Sequence, residues 1–274
     1  MREIFLKELK TLKDYPPDLQ LHFLREKLQY LMLSIMDHRG YFSKIIFVGG
    51  TALRILFDIK RFSEDLDFSL DMTHHKKIDF PSLVQNLQKD LLTYGFPTEI
   101  KQKTEGAVQN CFFKFTDLLY ELSHRFRKND KLFIRIDIDT NPPLGAKLEM
   151  SAISKKDFFI KIKHHDKPSL FGGKLNAILC RNYLKGRDIY DYIWFCANNI
   201  PVNLIFLNNG YIQTQKKDPP WTAENFPQFL AERISKMDLK KAFQDASLFM
   251  EDKTEQRFFD SELLHAMALK IKVV

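Results

Sequence analysis

The sequence contains no run of eighteen apolar residues, which excludes an ordinary membrane-spanning helix. Its first residues, Met1-Arg-Glu-Ile-Phe-Leu-Lys-Glu, mix charge into the stretch where a secretory signal needs an apolar core. A soluble, cytoplasmic protein with no membrane partner is therefore expected. Cysteine is scarce: Cys111, Cys180 and Cys196 are odd in number and lack the CxxC spacing of a zinc site or the density of a disulfide framework. They read as buried or incidental thiols. Neither an internal repeat nor a low-complexity tract is present. Acidic residues are outnumbered, 35 Asp and Glu against 42 Lys and Arg, and the resulting +7 charge favours polyanionic partners such as nucleic acid or nucleotides.

What is present is a 274-residue chain, long enough for two domains and 45% apolar. Leu21, Leu24, Leu28, Leu31 and Ile35 recur at helical steps before Gly40, a core stripe. Then come a short apolar run, Ile45-Ile-Phe-Val48, the pair Gly49-Gly50, and a helical pattern from Thr51 to Phe57. A strand is expected at 65–70, a helix at 81–93, and strands at 110–116, 132–139 and 158–163. Beyond Pro168 the segments 169–183, 187–197, 225–236, 239–250 and 255–271 carry helical periodicity, interrupted by Lys216-Lys-Asp-Pro-Pro-Trp221. The expected fold is α/β (α+β): a mixed-sheet domain over residues 1–165, then an all-helical domain over 166–274.

The chemistry concentrates between Val48 and Phe68. Gly49 and Gly50 let the backbone turn tightly and approach a ligand, and the free N–H groups opening the next helix suit phosphate. Thr51 adds a hydroxyl there. Asp65 and Asp67 stand two apart on the expected strand, so both carboxylates project from one face about 6.5 Å apart along it. Two hard oxygen ligands facing one way suit Mg²⁺. Asp137-Ile-Asp139 repeats the spacing, so a pair of aspartates alone is not specific. The conjunction of strand, Gly-Gly-Thr, helix, Arg-Phe-Ser and DxD is.

On Gly49, Gly50, Thr51, Leu53, Arg61, Ser63, Asp65, Asp67 and Phe68, the segment resembles the first motif of the AbiEii/AbiGii toxin family, a branch of the DNA polymerase β-like nucleotidyltransferases. A second segment, Lys174 to Asp191, is similar to the family's lysine, Arg-Asp and further Asp at Lys174, Arg187, Asp188 and Asp191. The resemblance implies a catalytic set of Asp65, Asp67, Asp137, Lys174 and Asp188, with Asp139 as the second choice for the third carboxylate. It implies nucleotide binding by Gly49, Gly50, Thr51, Ser63 and Lys174, and Mg²⁺ held by Asp65, Asp67 and Asp137. A plain ion pair among Lys174, Arg181 and Asp188 is the structural alternative for the second segment.

Function then follows from the resemblance: NMP transfer from an NTP, with release of pyrophosphate, to an acceptor hydroxyl. The expected setting is a type IV toxin-antitoxin or abortive-infection system, with tRNA as acceptor and an antitoxin encoded by a neighbouring gene. Transfer to a small molecule or protein side chain, or non-catalytic nucleotide binding in defence, are the alternatives. The NTP is expected between the two domains. His74-His75 and His164-His165 sit among lysines and read as solvated polar surface, and Trp221 and Phe226 as core.

Overall fold

The computed structural model describes residues 2–11, 14–74, 77–116, 118–122, 126–127, 130–155 and 157–274. Its described helices and strands run, in order, α1 (Arg2–Lys10), α2 (Pro17–His38), β1 (Ile45–Val48), α3 (Gly49–Phe57), β2 (Leu66–Leu70), α4 (Phe80–Thr93), β3 (Thr98–Lys103), β4 (Val108–Phe115), α5 (Leu118–Leu122), β5 (Leu132–Asp139), β6 (Leu148–Lys155) and β7 (Phe158–His165). Six helices follow: α6 (Lys167–Cys180), α7 (Gly186–Ala197), α8 (Leu204–Gln215), α9 (Phe226–Ile234), α10 (Leu239–Ser247) and α11 (Ser261–Leu269). Among the described residues, no helix is long and apolar enough to cross a membrane.

The strands form one mixed sheet in the order β3-β4-β5-β2-β1-β7-β6. β2 lies antiparallel to β1 and parallel to β5, and β4 is antiparallel to both β3 and β5. On β2, β4 and β5 the side chains alternate. Leu66, Phe68, Cys111, Phe113, Ile134, Ile136 and Ile138 are buried in the core with Leu24, Leu28 and Leu31 of α2 and Leu83 and Leu87 of α4. Each such Leu, Ile or Phe contributes about 1.5–3 kcal/mol of burial, which pins the register: a one-residue slip would carry every one of them to the other face. Residues of opposite parity, including Asp67, Arg135, Asp137 and Asp139, are left on the less covered face.

Two compact units emerge from the backbone contacts. One comprises Met1–Leu56, Phe62–Asn141 and Met150–His164; the other comprises Phe57–Arg61, Pro142–Glu149 and His165–Val274. In the first, α2 is more deeply buried than a stripe requires, since Leu28 through Met36 are all buried. In the second, Asp166 caps α6 through the Ser169 N–H at 2.9 Å, and Asn203 caps α8 while its amide reaches the Gly145 carbonyl at 2.8 Å. Lys216, left-handed at φ 57°, ends α8 before the Pro-Pro loop.

The histidine reading needs correction. His164 is fully buried with a ring nitrogen 2.8 Å from the Ser151 hydroxyl, and His165 is buried edge-on against Phe206. The alternation of β7 turns His164 inward with Ile160 and Ile162, which local charge could not reveal. His75 lies outside the described residues, as does the side chain of His74. Trp221 is buried as expected, donating its indole N–H to Asn208 at 2.9 Å.

Asp71, just past β2, is buried and accepts hydrogen bonds from Lys163 at 2.7 Å and from the backbone and hydroxyl of Thr73. Burial alone would raise its carboxyl, but these donors outweigh it and hold the group down from 3.8 to about 2. The stabilisation is complete above the unfolded value and is lost as pH falls through the folded one. Relative to Asp71→Asn, the wild type should lose about 2 kcal/mol between pH 5 and pH 2 in urea denaturation followed by circular dichroism. A pH-independent difference would contradict this pairing.

Candidate active site

The register of the first unit assembles the carboxylates. Asp67 on β2 is paired with Asp137 on β5, and on its other side with Val48, the last residue of β1. Asp65 sits in the half-buried loop just before β2, with Ser63 two residues earlier. Asp139 falls one parallel step beyond Asp137, opposite Ser69. Parallel pairing thus brings Asp67 beside Asp137 and sets Asp139 farther along the same face, while Asp65, in the loop, is close enough to act on Asp137 electrostatically.

Gly49 opens α3 with φ 80°, a conformation that disfavours any residue bearing a Cβ. A Cβ there would lie 2.7 Å from the Cβ of Asp67 and 2.8 Å from its Cγ. The glycine is therefore required by the close passage of the turn over the Asp67 side chain. Thr51 is fully buried, and its hydroxyl donates to the main-chain carbonyl of Asp65. In this structure it ties the DxD loop to α3. Gln29 donates to the Ser63 carbonyl at 3.1 Å, anchoring the same loop from α2.

Electrostatically, Asp137 is the unusual member. Burial raises its carboxyl, Arg135 opposes the rise through a 2.8 Å bond to Oδ1, and the neighbouring Asp67 and Asp65 add to it, so it is pushed up to about 6. Asp139 is also raised by burial, against the pull of the Asn141 N–H at 2.9 Å. The candidate donors, Asp67 and Asp137 on one sheet face and Asp65 in the loop beside it, are all hard carboxylate oxygens, a set whose chemistry fits Mg²⁺. Among the described residues no three acidic, histidine or cysteine side chains are already gathered as a metal cage. Arg135, which holds Asp137, was missed by the sequence reading although period-two alternation on β5 places it on the same face.

The model of the family described as nucleotidyl transferase AbiEii toxin, type IV toxin-antitoxin system, matches residues 31–261. The chain belongs to this family. It is a nucleotidyltransferase of the AbiEii toxin type, a membership that implies an NTP substrate and an antitoxin partner. Two Helicobacter pylori crystal structures share the fold: JHP933, at 18% identity and TM-score 0.50 over 90% of both chains, and a protein described as a "putative nucleotidyltransferase", at 19% identity and TM-score 0.51 over 89% of this chain and 91% of that one. No curated protein matches the sequence.

In the second unit this AbiEii chain builds a buried ionic cluster. Arg61 reaches both oxygens of Asp191 at 2.6 Å, and both side chains are essentially inaccessible. Lys174 lies 2.8 Å from Asp191 and 3.2 Å from Asp188, and Arg181 also pairs with Asp188. The second motif is thus held as an ion network, the arrangement its structural alternative required, with Asp191 and Arg61 as further members. Burial works against the charge on Lys174, but Asp191 and Asp188 outweigh it and raise its pKa. Asp188 is likewise opposed by burial, yet Lys174, Arg181 and Lys185 keep it low. Both motif positions therefore stay charged. Arg187 points elsewhere, with its guanidinium 3.9 Å over the Phe249 ring.

Each carboxylate has two cationic partners, but only Arg61 forms a two-bonded fork. Removing one partner of a buried pair costs about 3–5 kcal/mol when the other is stranded. Arg61→Ala should therefore destabilise by about that much in chemical denaturation. Lys174→Ala should cost less, because Asp191 keeps Arg61 and Asp188 keeps Arg181. The reverse order would contradict this assignment of partners.

Proposed function

We propose that this AbiEii chain transfers an NMP group from an NTP to a hydroxyl at the 3′ end of tRNA in a Mg²⁺-dependent reaction. The observation that supports this best is the pairing of Asp67 with Asp137 on one sheet face, with Asp65 just before β2, where Asp137 is raised first by burial and further by the negative charge of Asp67 and Asp65. Like charges held together by a backbone register are relieved by a divalent cation. Bound there, Mg²⁺ would neutralise charge on the phosphates and lower the pKa of the acceptor hydroxyl.

The chain's own residues do the rest. Asp65, Asp67 and Asp137 are assigned as the metal-binding carboxylates, and Gly49 keeps the turn close against Asp67. Gly49 and Gly50 open α3 with backbone N–H groups suited to phosphate; Thr51 on α3 anchors the loop that carries Ser63 and Asp65. Lys174 is assigned to the phosphates of the NTP, its ammonium held by Asp188 and Asp191. The acceptor hydroxyl gives up its proton to solvent as its oxygen attacks the α-phosphorus, the bond from that phosphorus to the pyrophosphate oxygen breaks, and pyrophosphate leaves with the electron pair. The +7 charge of the chain favours an RNA acceptor over a small cationic one.

The test is incubation of the purified protein with each α-labelled NTP, Mg²⁺ and total RNA, followed by a denaturing gel. Label should appear on tRNA-sized RNA, vanish with EDTA, and fall at least about a hundredfold in Asp67→Asn with an unchanged melting temperature. Label on a small molecule or on protein, or transfer that persists in EDTA, would contradict the proposal.

A further inference from the structure

The sheet face that carries the carboxylates continues across β4 and β3, and there its character changes. Paired positions run in rows across the strands: Lys103, Asn110, Asp137 and Asp67 form one, Lys101, Phe112 and Arg135 the next, and Glu99, Lys114 and Phe133 a third. Residues so paired share a face. Lys101 and Lys103 are exposed, Phe133 is 44% exposed, and Phe112, Lys114 and Arg135 are half-buried. The Arg135 guanidinium lies 5.3 Å over the Phe112 ring, and Glu99 is paired at 2.8 Å with Lys131.

A single exposed phenylalanine on a half-solvated strand needs no explanation. This face combines an exposed Phe133, a guanidinium stacked over Phe112, and three further cations, Lys101, Lys103 and Lys114, with Glu99 already paired. It then leads in register to the carboxylate row.

We propose that the exposed face of β3, β4 and β5 is a stacking platform for the single-stranded acceptor end of a polynucleotide. Bases stack on Phe133 and on the Arg135–Phe112 pair, while Lys101, Lys103 and Lys114 take the phosphates. From Lys103 to Asp67 the row spans three inter-strand steps of about 4.8 Å, roughly 14 Å in all, so a strand bound on the platform ends beside the carboxylates. An acidic protein segment would satisfy the lysines but leave the aromatic planes unused. This inference rests on the reading that the acceptor is nucleic acid.

The test is fluorescence anisotropy of a single-stranded RNA of about 12 nucleotides with a free 3′ hydroxyl. It is measured against salt for the wild type, Lys101→Ala/Lys103→Ala, Phe133→Ala and Phe133→Trp. The double lysine variant should flatten the log affinity against log salt slope by about 1.4. Phe133→Ala should weaken binding about tenfold and Phe133→Trp should restore it, with NTP affinity and melting temperature unchanged in all three variants. Wild-type affinity and slope in every variant, alongside intact labelling of RNA, would overturn the platform and leave the proposed function standing. No RNA binding by the wild type, with label passing to a small molecule or protein, would overturn both.

Discussion

Parallel pairing of β2 with β5 forces Asp67 and Asp137 side by side, and the backbone has no means of moving them apart. β5 is fixed on its other edge by β4, and the buried set Ile134, Ile136 and Ile138 locks its register. Two carboxylates on directly paired positions repel, and this adds to the burial that already raises Asp137. The same alternation that makes the core favourable makes this repulsion unavoidable. Stability and site are thus coupled through one strand, and the stress falls on Asp137, where Arg135 relieves part of it.

The second unit handles charge in the opposite way. Its carboxylates, Asp188 and Asp191, are buried with more cations than anions around them, since Arg61, Lys174 and Arg181 all pair there. A network of this kind is tolerated only when every member is satisfied, and it holds Lys174 in one place at the cost of desolvating it.

Much of this was legible in the sequence because it is local. The run Ile45–Val48, the glycine-initiated helix, the strand at 132–139 and the DxD were readable from period and spacing alone. Strand β3 escaped because Thr98–Lys103 has one apolar residue among polar ones and gains its place only by pairing with β4. Helix α8 escaped because Leu204–Gln215 mixes apolar and amide residues without a clean stripe. Arg61 was visible as a motif position, yet its partner Asp191 lies 130 residues away, a contact no local pattern specifies. His164 and His165 misled for the same reason: their neighbours in sequence are lysines, whereas Ser151 and Phe206 contact them in space.

The β2–β5 register builds the proposed cation site. Anomalous diffraction from crystals grown with Mn²⁺ and a non-hydrolysable NTP analogue tests it most directly. A strong peak within about 2.5 Å of carboxylate oxygens of Asp65 and Asp67, with Asp137 turned away from Arg135 toward the ion, is the predicted result. An ordered nucleotide with Mn²⁺ bound elsewhere, or with Asp137 still held on Arg135 and Asp67 free of metal, would contradict it.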